Sequence, residues 1–292
     1  MTAMVDIRVR TRIPQEELEE KKGKILTDDD YNVLVTGPAR VFSPEGKLIA
    51  VYRPNTLPAE LLEEKYAVLH SLKSYETNNR GLASGSVRVA REGSSRSSAK
   101  SVASAIIGAY DAKMPKMYCR LTAWTGKELD KWESLLPLFQ IIGDNFKTHV
   151  PDRYAIQMAK VMETKPEWVV PGTPFTTITV NNTYPTGVHT DSGDLEEGFS
   201  NLSCLRRGDY TGGIFVFPEY RVGFDMQDGD VLLMDAHQWH GNTRMELHSD
   251  DAERISIVCY YRTDMAKCGT AEEEAQRAFM AAEKRATAGL DA

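Results

Sequence analysis

Gly213-Ile214-Phe215-Val216-Phe217, Val222-Gly223-Phe224-Asp225 and Val231-Leu232-Leu233-Met234 follow one another closely, with Gln227-Asp228-Gly229-Asp230 before the last. These apolar runs are too short for helices, and Gly and Asp between them suit tight turns. Working outward, residues 176–180 and 201–206 read as two earlier strands, and 254–262 closes the series. Many short strands broken by Gly-, Asp- and Pro-rich turns predict a jelly roll or barrel-like double sheet. The fold expected is α+β with a mainly β core, a cupin-like double-stranded β-helix, with flanking helices packed on its outside.

Two short motifs sit inside this β-rich region. Val188-His189-Thr190-Asp191 ends one run, and His240-Gly241-Asn242 follows another. Residues at i and i+2 of an extended chain point to the same side, so His189 and Asp191 can converge on one ion. A second His completes two imidazoles and one carboxylate. That set covers one face of a metal and leaves the other open, as in non-haem Fe(II) oxygenases. A bare His-x-Asp is also common as a surface His beside a capping Asp. His237 and His240 both compete for the third position, and His240 is preferred for its spacing from Arg254. His237 then reads as a supporting residue beside Asp235. Arg254 and Ser256 share one strand face, so a guanidinium fork and a hydroxyl can grip one carboxylate, that of 2-oxoglutarate. A plain salt bridge from Arg254 to Asp250 or Asp251 is the alternative. The joint order His-x-Asp, His, Arg-x-Ser is far more specific than any part of it.

Upstream, residues 14–24 are dense in Glu and Lys and read as an exposed helix or disordered lead-in. Residues 32–35, 39–42 and 48–51 read as strands, the last two forming a hairpin around Ser43-Pro44-Glu45-Gly46. Thr56 is a candidate cap for a helix from Leu57, with Leu61, Leu62, Tyr66, Leu69 and Leu72 on one face. Thr125 and Glu128 suggest a capping box, followed by a buried stripe of Leu129, Trp132, Leu136, Phe139 and Phe146. Asp152 is a candidate cap for a helix through Met162. A charged helix from Thr270, with Glu273 as capping partner, is expected to dock through Phe279 and Met280. The organisation expected is an exposed lead-in at 1–30, a single domain at 31–268, and an accessory helix at 269–292. Within that domain, 31–165 holds strands and supporting helices and 174–268 the jelly-roll core.

The chain has 292 residues, 41% hydrophobic and 26% charged, ordinary for a globular protein. No run is apolar enough to span a bilayer, and charges at the N-terminus argue against a signal peptide. An intracellular place, cytoplasmic or nucleoid-associated, is expected, with no membrane partner. Cys119, Cys204, Cys259 and Cys268 form no Cys-x-x-Cys pair, and free thiols in a reducing compartment are expected. The net charge of −7 argues mildly against a chain coated in nucleic acid. Between residues 80 and 100, however, Arg80, Arg88, Arg91, Arg96 and Lys100 oppose Glu92 alone in a Gly/Ser-rich stretch. This reads either as a loop touching DNA phosphates or as a solvated loop with incidental charges.

The order His189-Thr-Asp191-Ser-Gly-Asp194, Gly212-Gly213-Ile-Phe-Val-Phe-Pro218, Gly229-Asp230-Val-Leu-Leu-Met-Asp235, His240-Gly-Asn and Arg254-Ile-Ser-Ile-Val-Cys-Tyr-Tyr-Arg262 resembles the TET/JBP family. The match is dense over 178–268 and looser in the N-terminal half. The chain lacks the cysteine-rich region and long insert of animal TET enzymes and the modified-base-binding domain of kinetoplastid JBP proteins. It is most similar to compact phage and bacterial members, which places it in a bacterial or phage-infected cell. The resemblance implies Fe(II), 2-oxoglutarate and O2 as cofactors, with His189, Asp191 and His240 as catalytic iron ligands. It implies that Arg254 and Ser256 hold 2-oxoglutarate, and that Asp194, Tyr260 and Arg262 meet the target base. Asp194 stands where TET enzymes carry Asn, and Arg262 where they carry His; Asp194 also fits a plain turn-forming carboxylate. The activity implied is hydroxylation of 5-methylcytosine in DNA to 5-hydroxymethylcytosine, with the possibility of further oxidation. Thymine hydroxylation to 5-hydroxymethyluracil, a dioxygenase acting on a small molecule or protein, and a non-catalytic DNA-binding cupin-like module are the alternatives.

Overall fold

The computed structural model describes residues 3–10, 12–77, 80–84, 101–112 and 118–287. Arg88, Arg91, Arg96 and Lys100 of the basic stretch, and Asn78 and Asn79 before it, lie outside the described residues. The chain forms two compact units. The first holds residues 1–105, 179–192 and 200–258, and the second 106–178, 193–199 and 259–292.

A mixed sheet carries strands in the order Val5–Arg8, Ala39–Phe42, Leu48–Arg53, Val231–Met234, Ser200–Arg207, Glu253–Tyr260, Thr177–Asn182, Val102–Ala112 and Glu76–Thr77; the first five and the last belong wholly to the first unit. Val231–Met234 sits centrally, antiparallel to both neighbours, with Val231 opposite Arg53 on one side and Ser203 on the other. All four of its residues are buried, which is why its sequence is a continuous apolar run rather than an alternation. A second sheet runs Gly241–Asn242, Phe215–Phe217, Val222–Phe224 and Val33–Val35. Side chains of both sheets meet in one core that includes Tyr52, Leu202, Cys204, Phe215, Phe217, Phe224, Leu232 and Met234. Two sheets closed over one core is the jelly-roll arrangement predicted from the strand pattern.

The hairpin Ala39–Phe42 with Leu48–Arg53 forms as expected, with a register shift between Val41 and Phe42. Val5–Arg8 was not expected; it adds in parallel to Ala39–Phe42 as an edge strand whose mostly exposed residues give little alternation to read. The lead-in contains the helix Gln15–Lys21, fixed by the buried Leu18. The next helix is Ala59–Ser71, starting after Pro58 and without a side-chain cap, so Thr56 does not cap it. Thr56 instead donates its backbone N–H to the Gly229 carbonyl.

The second unit is richer in helix, with Leu129–His149 and Pro151–Glu163 as its longest pair before the C-terminal helix. Thr125 and Glu128 do not form a capping box. Thr125 lies inside the short helix Ala123–Lys127, buried, where its hydroxyl accepts the Gly108 N–H, and Thr122 is the cap. The buried stripe of Leu129–His149 runs through Trp132, Leu135, Leu138, Phe139, Ile142 and Phe146, while Leu129 is half exposed. Asp152 does not cap Pro151–Glu163; it lies in the first turn, and Val150 precedes the helix. Phe146 stacks on Phe199 with ring centroids 6.3 Å apart.

Two expectations for this unit are overturned. Cys119 and Cys268 are joined in a disulfide rather than left as thiols; Cys204 and Cys259 are free and buried. The C-terminal helix Ala271–Thr287 starts at the predicted Thr270/Glu273 capping box, but Phe279 and Met280 are exposed. Its buried residues are Glu274 and Ala281. The Glu274 carboxylate accepts the backbone N–H groups of Cys119 and Gly269 and pairs with Arg277. A carboxylate taking two backbone donors docks this helix, a role that apolar periodicity does not reveal.

Candidate metal centre and its surroundings

The centre is set by backbone pairing before any side chain is considered. The N–H of His189 donates to the His240 carbonyl and that of His240 to the His189 carbonyl, each at 2.9 Å, so the two stand directly opposite. Asp191 is tied by its own N–H to the Ala236 carbonyl at 3.0 Å. Gly187, just before this run, packs so closely that a Cβ there would lie 2.6 Å from the Gly23 carbonyl oxygen. Only glycine lets the chain approach this closely.

The outcome is that one ligand atom each from His189, Asp191 and His240 lies within 4.8 Å of the others. His189 Nε2 is 3.6 Å from one Asp191 oxygen, and His240 Nε2 is 3.9 Å from the other. Both Nδ1 atoms point at backbone carbonyls, His189 at Gly187 and His240 at Gln238, each at 2.8 Å. A carbonyl only accepts, so each Nδ1 carries a hydrogen, and Nε2 is the ring atom that each histidine turns to the shared space. Burial, with the neighbouring His189, pushes His240 down to about 4, so its ring is neutral at physiological pH. The Phe215 ring stacks on His240 with centroids 5.6 Å apart and closes that side.

His237 stands apart from this cluster. Its Nδ1 lies 3.3 Å from Asp235, whose carboxylate also takes Lys47 Nζ at 2.6 Å and Gln238 Nε2 at 2.9 Å. Burial alone would push the Asp235 carboxyl up, but these hydrogen bonds and the lysine charge hold it well below the usual range. Asp235 thereby fixes the start of the turn that delivers His240. Sequence reading placed Asp235 only as a neighbour of His237, because its partner Lys47 is far away in the chain.

Arg254 and Ser256 are buried on the strand Glu253–Tyr260. Val258 packs into the inner core with Leu202 and Cys204, and alternation puts Arg254 and Ser256 on that same face. Arg254 makes no ion pair with Asp250 or Asp251 among the described residues, and its buried Nη2 has no hydrogen-bond partner there. A buried guanidinium donor without an acceptor is costly, of order 1–3 kcal/mol. It fits an anion such as the far carboxylate of 2-oxoglutarate.

The remaining candidates have other surroundings. Arg80 donates Nε to Ser104 Oγ at 2.7 Å and Nη2 to Thr179 Oγ1 at 3.4 Å, so it takes part in a protein polar network. In the second unit, Asp194 and Arg262 face each other in an antiparallel bridge, and Tyr260 is buried. The Arg262 guanidinium is ion-paired to Asp111 and lies over the Tyr110 ring, 5.0 Å from its centroid. Burial works against this charge, but Asp111 holds the guanidinium more firmly protonated than usual. Asp111, fully buried, was missed by sequence reading; its only signal is a carboxylate ending an otherwise apolar run from Val102.

Two imidazoles and one carboxylate, gathered at one side of a β-sandwich, define the class of two-histidine, one-carboxylate metal sites used by non-haem iron oxygenases. The Tet_JBP family model, described as the oxygenase domain of the 2OGFeDO superfamily, matches residues 106–263, and the chain belongs to that family. Its superfamily uses Fe(II), 2-oxoglutarate and O2, and the His189, Asp191 and His240 cluster fits the metal. Among curated relatives, thymine dioxygenase JBP1 of Trypanosoma brucei brucei is 31% identical over 91% of this chain and 30% of its own length. The bifunctional helicase and thymine dioxygenase JBP2 of the same organism is 30% identical over 83% of this chain and 21% of its own length. The chain therefore spans less than a third of these relatives. Among solved structures, NgTET1 in complex with 5mC DNA superposes with a TM-score of 0.59 at 16% identity, covering 88% of this chain and 94% of that one. That likeness identifies the fold as the double-stranded β-helix. Among the described residues, no helix is long and apolar enough to cross a membrane.

Proposed function

We propose that this protein is an Fe(II)/2-oxoglutarate-dependent dioxygenase that hydroxylates the 5-methyl group of a pyrimidine in DNA, with thymine as the favoured base. The observation that carries the metal chemistry is the pair of Nδ1-tethered imidazoles facing Asp191. The choice of DNA and thymine is supported by the curated relatives, whose printed activity is thymine dioxygenase and whose likeness extends over 91% of this chain.

In this reading His189 and His240 bind the metal through Nε2, and the carbonyls of Gly187 and Gln238 keep both rings in the donating tautomer. Asp191 adds a carboxylate oxygen to the two imidazole nitrogens. Arg254 takes the far carboxylate of 2-oxoglutarate, with the Ser256 hydroxyl on the same strand face. The bound Fe(II), 2-oxoglutarate and O2 supply the oxidising power that breaks a methyl C–H bond. A methyl stacked inside a duplex cannot reach a partly buried cluster, so the nucleotide is flipped out of the helix. Asp194, Tyr260 and Arg262 are assigned to the base by the family resemblance.

The test is mass spectrometry of nucleosides after incubation of one DNA carrying both thymine and 5-methylcytosine with the protein, Fe(II), 2-oxoglutarate and ascorbate. Formation of 5-hydroxymethyluracil is expected. Formation of 5-hydroxymethylcytosine with thymine intact would move the assignment to the other base. No modified nucleoside, with 2-oxoglutarate consumed, would move it to a small molecule or protein.

A further inference from the structure

Arg254 Nη2 is not the only buried polar atom on the inner face without a hydrogen-bond partner among the described residues. The Tyr210 ring is buried and its hydroxyl has no hydrogen-bond partner among the described residues. Both orphans belong to the first unit, and two features bring their segments together. Gly212, which ends the strand Tyr210–Gly212, and Gly213 after it both take positive φ, +76° and +69°. A Cβ at Gly213 would lie 3.3 Å from Arg254 Cδ, so the glycine lets this segment lie against the arginine stem. The Tyr210 ring is itself fixed. The Arg206 guanidinium lies over it at 4.3 Å from the centroid, and Arg206 is in turn held by Asp225 at 3.1 Å.

Cys204, on the inner face with Leu202, marks which side these groups occupy. Arg206 lies two residues further along that strand and reaches the Tyr210 ring, so alternation places the tyrosine at the inner side too. The hydroxyl keeps its proton: burial raises its pKa, the nearby Cys204 adds to this, and the Arg254 charge opposes it without reversing the direction. The inner side therefore holds a donor-only cation and a neutral phenol, both dehydrated. Each unmet donor costs of order 1–3 kcal/mol in the folded protein. One ionised carboxylate, with two oxygens and several lone pairs, accepts from both at once.

We propose that the Tyr210 hydroxyl joins Arg254 and Ser256 as a further ligand for the distal carboxylate of the co-substrate, and that Tyr210 and Arg254 together select a dicarboxylate over a monocarboxylate 2-oxo acid. This inference rests on the 2-oxoglutarate reading of Arg254. Tyr210→Phe removes the hydroxyl while retaining the ring beneath Arg206, so the fold is kept.

The experiment measures binding by calorimetry with Mn(II) in place of Fe(II), which needs no turnover. Tyr210→Phe is expected to weaken 2-oxoglutarate about tenfold, the scale of one hydrogen bond to a charged group. Mn(II) affinity and the melting temperature without ligand are expected to stay at parent values. Affinity for 2-oxobutyrate, which keeps the 2-oxo acid and lacks the distal carboxylate, is expected to be the same in both proteins. Equal 2-oxoglutarate affinity in parent and variant would overturn the role of Tyr210 while leaving Arg254 in place. An equal loss for 2-oxobutyrate would overturn it as well, since the effect would not depend on the distal carboxylate. A parent protein that binds no 2-oxoglutarate would overturn the co-substrate reading itself.

Discussion

His189 and His240 exchange both of their backbone hydrogen bonds, at 2.9 Å each, with ring centroids 4.3 Å apart. The two imidazoles are therefore held by main chain, and the Nδ1 bonds to Gly187 and Gln238 fix their tautomers. A site built this way exists before any metal arrives, so losing one side chain should remove binding without unfolding the protein. Asp191→Ala and His240→Ala are each expected to weaken Mn(II) binding by roughly a hundredfold or more, because two ligands hold a divalent ion poorly. His237→Ala should retain binding within about tenfold, acting only through its contact with Asp235. Calorimetric titration distinguishes them; strong binding by His240→Ala and loss in His237→Ala would reassign the third ligand.

Arg254→Ala should separate co-substrate from metal. It removes a buried guanidinium whose Nη2 lacks a hydrogen-bond partner among the described residues, so the folded protein loses little. The 2-oxoglutarate concentration for half-maximal turnover should rise by roughly a hundredfold, as a charge-assisted fork is lost. Mn(II) affinity should be unchanged. An unaltered 2-oxoglutarate requirement would return Arg254 to a packing role.

The parts of this site that are local in sequence were legible there. His189 and Asp191 were readable because i, i+2 spacing in an extended chain is itself a geometric statement. The shared strand face of Arg254 and Ser256 was readable for the same reason. What was hidden depends on contacts between distant residues. Cys119 and Cys268 are separated by 149 residues, and no spacing rule connects them. Glu274 looks like one more surface carboxylate of a charged helix, yet it is buried and accepts two backbone donors. Phe279 and Met280 show the converse: periodicity defines faces of a helix but not which face finds a neighbour. Thr125 was misplaced because its hydroxyl serves Gly108, not its own helix end.

The Asp235 cluster makes an acid-side prediction. Its folded pKa lies below the unfolded value of about 3.9, so folding favours the ionised form. The stability it contributes is fully present above the unfolded pKa and is lost as pH falls through the folded one. Asp235→Asn should cost about 2–4 kcal/mol at pH 7, because Lys47 and His237 lose their charged acceptor. The difference between parent and variant should shrink as pH falls below about 4. Urea unfolding across pH 3 to 7 checks this, and a constant difference would show that the carboxylate charge is not the cause.

The disulfide sets a second stability prediction, confined to the second unit. Cys119→Ser with Cys268→Ser opens a loop of 149 residues and should cost about 2–4 kcal/mol. Glu274 still links the Cys119 and Gly269 backbones, so the C-terminal helix should remain docked. Hydrogen exchange on Ala271–Thr287 should thus change little, while thermal unfolding shifts down. Full exchange along that helix in the variant would show that the disulfide, not Glu274, holds it.

Arg262 carries the last prediction, because the base-reading role assigned to it by the family resemblance meets a structural one. Its guanidinium pairs with the fully buried Asp111 and covers the Tyr110 ring. Gly193 lies against the guanidinium, where a Cβ would come within 3.2 Å of Nη1. Removing the arginine leaves a buried carboxylate uncompensated, a loss of about 3–5 kcal/mol. Arg262→Ala should therefore lower the melting temperature as well as activity. Arg262→Lys with intact Asp111 keeps the charge but loses the planar fork, so it should recover stability in part. If Arg262 also orients the base, Arg262→Lys should convert thymine and 5-methylcytosine in DNA with a more even ratio than the parent, because a flexible ammonium reads an edge less strictly than a fixed guanidinium. Nucleoside mass spectrometry on DNA carrying both bases gives that ratio. A lysine variant with partly restored stability and an unchanged ratio would confine Arg262 to its pairing with Asp111.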